Sequence, residues 1–226
     1  MWAVAKKDFK TMFYSPIGYI IVAVFLAIMG IVMYILSISA RGIDFNIVYE
    51  SCAKYSLPII TALLTMRSFS EEKNKDTEKI LYTASRKTTG IIFGKILAVL
   101  MVIGVAVLNS LIYCMLFAKY GSINSRLIIT ILCFMLLAFA YTSVGVLISS
   151  LSENQIISAI LTIIFLLLPS FFSYGNGAFS YLALINYYSQ ICEGIISIGS
   201  IFAMISFSIT CIILTSLEMK RNRKLN

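Results

Sequence analysis

The sequence predicts an all-α integral membrane protein with six transmembrane helices. Three observations carry that expectation. Of 226 residues, 60% are hydrophobic and only 12% charged, which is more apolar surface than a soluble core can hide. The apolar residues fall in runs long enough to cross about 30 Å of hydrocarbon. The charge collects in one polar island, Arg67 to Lys95, which holds seven of the 18 Lys and Arg residues and four of the ten acids. Such a stretch belongs in water beside a membrane, not within it.

Residues 1–16 place Trp2, Phe9, Met12 and Phe13 on one helical side and Lys6, Lys7 and Lys10 largely on the other. This is the pattern of an interfacial amphipathic helix, although a plain basic flank of the first span would read similarly. Ser15-Pro16 breaks it. Spans are predicted over 17–40, 47–66, 96–117, 127–148, 156–172 and 195–217. The second is the weakest, because its uncharged part is short and it must take in Glu50, Lys54 and Pro58. No small-residue cleavage site closes the first apolar run, so that run is expected to stay as an anchor.

Between the fourth and fifth spans lies a tight polar turn, SSLSENQ. The segment 173–194 is too apolar for a free loop and too interrupted by Gly175, Asn176 and Gly177 for a span, so a short re-entrant or interface-lying helix is expected there. Residues 218–226 form a basic tail. Six spans place 14 of the 18 basic residues on one side, with both termini and the island, and four on the other. The excess marks the cytoplasmic side of a cell membrane.

Several function classes are disfavoured. The basic residues flank apolar runs, so nucleic acid is not an expected partner. The chain has no His, and its five cysteines form no CxxC pair, so no metal site is expected. A disulfide between Cys52 and Cys192 is conceivable, but unpaired thiols are expected. No phosphate-cradling GxxxxGK[ST] loop is present, so this chain is not expected to be an ATPase, and no catalytic constellation is visible. Away from span ends no ionisable residue lies in a predicted span, which argues against ion-coupled transport. Asn109 is the clearest intramembrane polar group; a bond to a neighbouring helix is the simpler expectation and a place on a substrate path the sharper one. Gly145-xxx-Ser149 and Ser158-xxx-Thr162 permit close helix packing.

Within the island, Ser68 and Glu71 have capping-box spacing, and Phe69, Thr77, Ile80, Leu81 and Ala84 share one helical face. The island is therefore either an amphipathic helix offering an apolar stripe to the bilayer or a partner, or a solvated helical hairpin.

Leu57-Pro58, Thr65-Met66-Arg67, Glu71-Glu72-Lys73, the run Thr77-Glu78-Lys79-Ile80-Leu81-Tyr82-Thr83, and Gly94-Lys95 together resemble the cytoplasmic signature of ABC type 2 membrane permeases. KKDFKTMFYSPIGYI is similar to the elbow helix and first-span entry of the gliding-motility-permease-like subgroup, and SSLSENQIISA to its fourth-to-fifth-span loop. Ser85 stands where relatives usually carry Pro, giving a less rigid helix exit, and Asp76 where many carry Gly, favouring an unbroken helix.

The resemblance implies that region 67–95 carries a coupling helix, Glu71 to Ala84, seated on a separate ABC ATP-binding subunit. Arg67, Phe69, Glu71, Glu72, Lys73, Thr77, Ile80, Leu81 and Ala84 would form that contact. ATP and Mg would be bound by the partner, and this chain would hold no cofactor. It also implies a second permease chain, identical or not, an export direction, and an outer gate near Phe171, Phe172, Tyr174 and Glu193. For Glu193, capping of a helix is the simpler role, and for the aromatic residues an interfacial belt in membrane lipid. The rival expectation is a membrane-embedded assembly or scaffold protein without transport.

Overall fold

The computed structural model describes residues 2–40, 43–70, 88–117, 121–122, 126–172, 183–195 and 197–225. Their helices are α1 (Trp2–Tyr14), α2 (Ile17–Ala40), α3 (Phe45–Thr65), α4 (Thr88–Leu116), α5 (Arg126–Leu151), α6 (Gln155–Phe172), α7 (Leu184–Cys192) and α8 (Ile198–Leu225). Two-residue strands β1 (Ile43–Asp44) and β2 (Gly121–Ser122) pair in parallel at one end of the bundle.

Among the described residues, four helices are long and apolar enough to cross a membrane: Ile17–Ser37, Thr88–Leu116, Arg126–Leu151 and Ile198–Arg221. The α6 helix is apolar but shorter. The 21 residues of α3 include Glu50 and Lys54. That helix is central: it packs on α2, α4, α5, α6 and α7, and most of its side chains are buried. A helix wrapped by protein tolerates polar groups that lipid would reject. It runs unbroken through the buried Pro58.

The main core gathers side chains from α2 to α8. Phe134 of α5 is its hub, with the rings of Phe25, Tyr49 and Tyr188 centred 6.1, 5.8 and 6.2 Å away. The tilted and edge-on arrangements suit the quadrupoles of aromatic rings. Tyr49 satisfies its buried hydroxyl against Ser110 at 2.7 Å. At the strand end, Thr130 donates to the Asn46 side-chain oxygen at 2.8 Å and Tyr188 donates to the Thr130 carbonyl at 3.3 Å. These bonds tie α3 and α7 to α5.

Near the opposite end a second, smaller cluster holds Phe69, Ile91, Ile92, Ile96, Val146, Ile212 and Met219. It joins the exit of α3 to the start of α4 and the last turns of α8. Asn154 caps α6 by accepting the Ile156 N–H at 2.9 Å, so the predicted polar turn is a helix N-cap in structural terms.

Two expected helix limits are corrected. The helix expected from residue 96 starts at Thr88, which puts Lys95 inside α4 rather than in an aqueous loop. The last helix begins at Ile198 and continues to Leu225, so it carries much of the basic tail with it. Glu193 is the C-cap of α7. Phe9, Met12 and Phe13 of α1 pack against the main core, while Trp2 is 67% exposed. The apolar side of α1 thus also packs on the bundle, chiefly on α4 and α2. Gly18 permits this fold-back, since a Cβ there would come within 2.8 Å of the Met12 carbonyl oxygen.

Candidate functional site

The chain leaves α3 into the polar island at a junction built from four elements. Met66 closes α3 with its N–H on the Ala62 carbonyl, and Ser68 donates to the Thr65 carbonyl at 2.9 Å. Beyond that point the backbone N–H groups have no helical acceptor. Ser149 of α5 supplies one: its hydroxyl oxygen accepts from Phe69 N at 3.0 Å and Ser70 N at 3.2 Å. The Ser70 hydroxyl lies 3.2 Å from the Ser149 carbonyl and hydroxyl oxygens, closing the contact.

Ser149 reaches this far because Gly145, one turn earlier, has no side chain. A Cβ at Gly145 would overlap Thr65 Oγ1 outright and would lie 2.8 Å from Thr65 Cβ. The two small-residue positions recognised in the sequence therefore have separate jobs. Gly145 lets α3 and α5 touch, and Ser149 uses the touch to hold the island's entry. In α6, which packs on α3 and α5, Ser158 and Thr162 are both fully buried.

Lys95 completes the junction. It is 3% exposed, on the second turn of α4. Its ammonium donates to the Ser68 carbonyl, stands 3.8 Å from Asp8 Oδ2 of α1, and lies 4.6 Å from the centre of the Phe69 ring. A buried ammonium needs such company. The carbonyl takes one of its three donors, the carboxylate offsets its charge, and the ring face is attractive to a cation. The carbonyl belongs to the turn that follows α3.

The island's two boundaries are thus fixed to the same body. Its entry is held by Ser149 and Lys95, and its return is the buried Thr88, Ile91 and Ile92 of α4.

Of the residues proposed for a partner contact, Arg67 is exposed beside this junction. Phe69 is corrected: at 1% exposure it is packed inside the second cluster and faces the bundle, not a partner. A large apolar ring beside Ile91, Ile96 and Val146 is more stable there than in water. Glu71, Glu72, Lys73, Thr77, Ile80, Leu81 and Ala84, and with them the helix Glu71 to Ala84, lie outside the described residues, as does Tyr174. Asn109 is corrected too: its amide donates to the Val105 carbonyl of its own helix at 2.8 Å, not to a neighbour. Phe171 is exposed at the end of α6, and Phe172 is the last residue of that helix. Glu193 is exposed, beside Gly194 at φ 98°, and the Arg126 guanidinium lies over that glycine. All five cysteines are buried and free, Cys52 and Cys192 included.

Sequence reading missed the joining of Asp8, Ser68 and Lys95. Its only trace was Gly94-Lys95, which was assigned to the entry of a span. A separate apolar cleft of about 440 Å³ lies between α5, α6, α7 and α8, bordered by Tyr141, Leu151, Leu161, Phe165, Pro169 and Phe207.

A family model described as ABC-2 family transporter protein matches residues 10–169. The matched span runs from the middle of α1 nearly to the end of α6 and contains Ser68, Phe69, Lys95 and Ser149 of the junction, with Asp8 just outside it. No curated protein matches the chain.

Proposed function

The chain belongs to the ABC-2 family of transporter proteins, and from that premise we propose that it is the permease subunit of an ATP-driven exporter, driven through its polar island by a separate ATP-binding subunit. Membership in the family and a multi-pass membrane location are the established part. The reading beyond them rests on one observation. Ser70 and Thr88, the described residues on either side of 71–87, both belong to the packed bundle beside a junction where α1, α3, α4 and α5 meet. A push delivered to either of these boundaries reaches packed helices and moves them as a rigid body.

In this reading α2 to α6 and α8 make six crossings, and the basic excess puts both termini and the island in the cytoplasm. Glu71 to Ala84 docks on the ATP-binding subunit, which holds ATP and Mg. A second permease chain, the same or a homologue, completes the pathway, because one bundle with a filled core encloses little space for cargo. The cargo leaves past the end of the bundle that carries Phe171 and Glu193.

The test is purification in mild detergent together with candidate ATP-binding subunits, wild type against the double charge reversal E71K/E72K. Co-purification of an ATPase with the wild type and its loss in the variant is the expected result. An ATPase that binds both equally, with unchanged nucleotide-dependent activity, refutes the docking assignment.

A further inference from the structure

We propose that Lys95 is a positioning residue that locks the exit of α3 to the N-terminal helix α1, so that this exit and α1 move as one body. The proposal rests on the permease reading for its purpose, but its geometry stands alone.

Three elements distant in sequence meet on one ammonium group. Asp8 comes from α1, Ser68 and Phe69 from the exit of α3, and Lys95 itself from α4. The α1 helix packs on α2 and α4; at Lys95 it also meets the segment that leads directly into the island.

Among the described residues, Ser68 and Asp8 are not equivalent partners of Lys95. The Ser68 carbonyl is in hydrogen-bond contact and belongs to a turn already pinned by Ser149. Asp8 stands at 3.8 Å and keeps 19% exposure, so it acts through charge more than through a directed bond. The firm side of the joint is therefore α4 to α3, and the looser side is α1. A lysine suits this arrangement, because its flexible stem keeps an ammonium between two partners while they shift slightly.

The other charges of α1 point to what the joint serves. Lys6, Lys7 and Lys10 are exposed, a face suited to an anionic lipid surface. A motion imposed on the island would thus reach a helix that bears on the membrane surface, without first passing through the bundle's core.

The experiment places spin labels at two exposed positions, Lys7→Cys on α1 and Arg67→Cys at the α3 exit. The five native cysteines are buried, so labelling is selective. The label-to-label distance distribution is measured in lipid nanodiscs for the otherwise wild-type chain and for K95M, K95R and D8N. The otherwise wild-type chain and K95R are expected to give one narrow distribution. K95M is expected to broaden it about twofold, because the freed elements sample several arrangements, and D8N to broaden it less. A K95M distribution as narrow as wild type, in protein that elutes as a folded species, overturns the proposal. Should K95M fail to fold, D8N decides: it leaves the Lys95 to Ser68 bond in place, so broadening there with a narrow K95R supports the lock, and a narrow D8N overturns it. The measurement needs no ATP-binding subunit, so absence of such a partner would sink the permease reading and leave this result standing.

Discussion

Replacing Gly145 with alanine tests how closely the junction depends on helix contact. The new Cβ would overlap Thr65 Oγ1 and sit 2.8 Å from Thr65 Cβ, where ordinary contact begins at 3.4 Å. Relief demands that α3 and α5 part by at least the difference, about 0.6 Å, because turning the Thr65 hydroxyl off the Thr61 carbonyl leaves its Cβ in place. Ser149 sits one turn along the same face, and its bonds to Phe69 and Ser70 are already 3.0 and 3.2 Å. A parting of that size carries both to the edge of hydrogen-bonding range or past it.

Overpacking costs about 1–3 kcal/mol, and two buried N–H groups with a weakened acceptor add about 1–2 more. The expected total is about 2–5 kcal/mol, or roughly 5–15 °C in the melting midpoint of the detergent-solubilised chain. The compensating variant T65G in the G145A background moves the gap from one helix to the other. It should recover most of the loss, at about 1 kcal/mol for glycine in a helix. An unchanged midpoint in G145A, or no recovery in the double variant, refutes the close-contact account.

Two further substitutions probe the same region. Ser149→Ala removes the acceptor shared by Phe69 N and Ser70 N and should cost about 2–3 kcal/mol, whereas Ser149→Thr should cost less; thermal unfolding followed by size-exclusion fluorescence reads both. Phe69→Ala should destabilise the chain by about 3–5 kcal/mol as a buried aromatic truncation, while Arg67→Ala should stay within about 0.5 kcal/mol. Equal, small effects at both positions would return Phe69 to the surface.

Much of the fold was legible because hydropathy is local. Helix α2 starts and ends where its apolar run does, and α5 and α6 depart from their predicted limits by only a few residues. Even α3, with Glu50 and Lys54 inside it, was anticipated over nearly its observed length, because the balance of charge required a helix there. Where reading failed, a charge was taken at its solution value. Lys95 was assigned to water because an isolated ammonium is too costly to bury. A neighbouring carbonyl, carboxylate and aromatic ring change that cost, and none of them is adjacent in sequence. Phe69 was placed on a partner-facing stripe by helical periodicity, yet the chain at that point is a turn, so periodicity assigned it the wrong face. Asn109 was given a neighbour to bond, although its own helix offered a carbonyl one turn away.

The polar island shows the same division. Composition alone set it apart from the apolar runs, and the count of basic residues gave it a side. Only the packed helices decided that its two boundaries share one anchor, with Ser149 and Lys95 at the entry and Thr88 at the return. Hydropathy and charge are sums over neighbouring residues, so sequence determines them directly. The meeting of Asp8, Ser68, Lys95 and Ser149 depends on distances between helices, and those distances are set by how Gly145, Thr65 and Gly18 let their backbones approach.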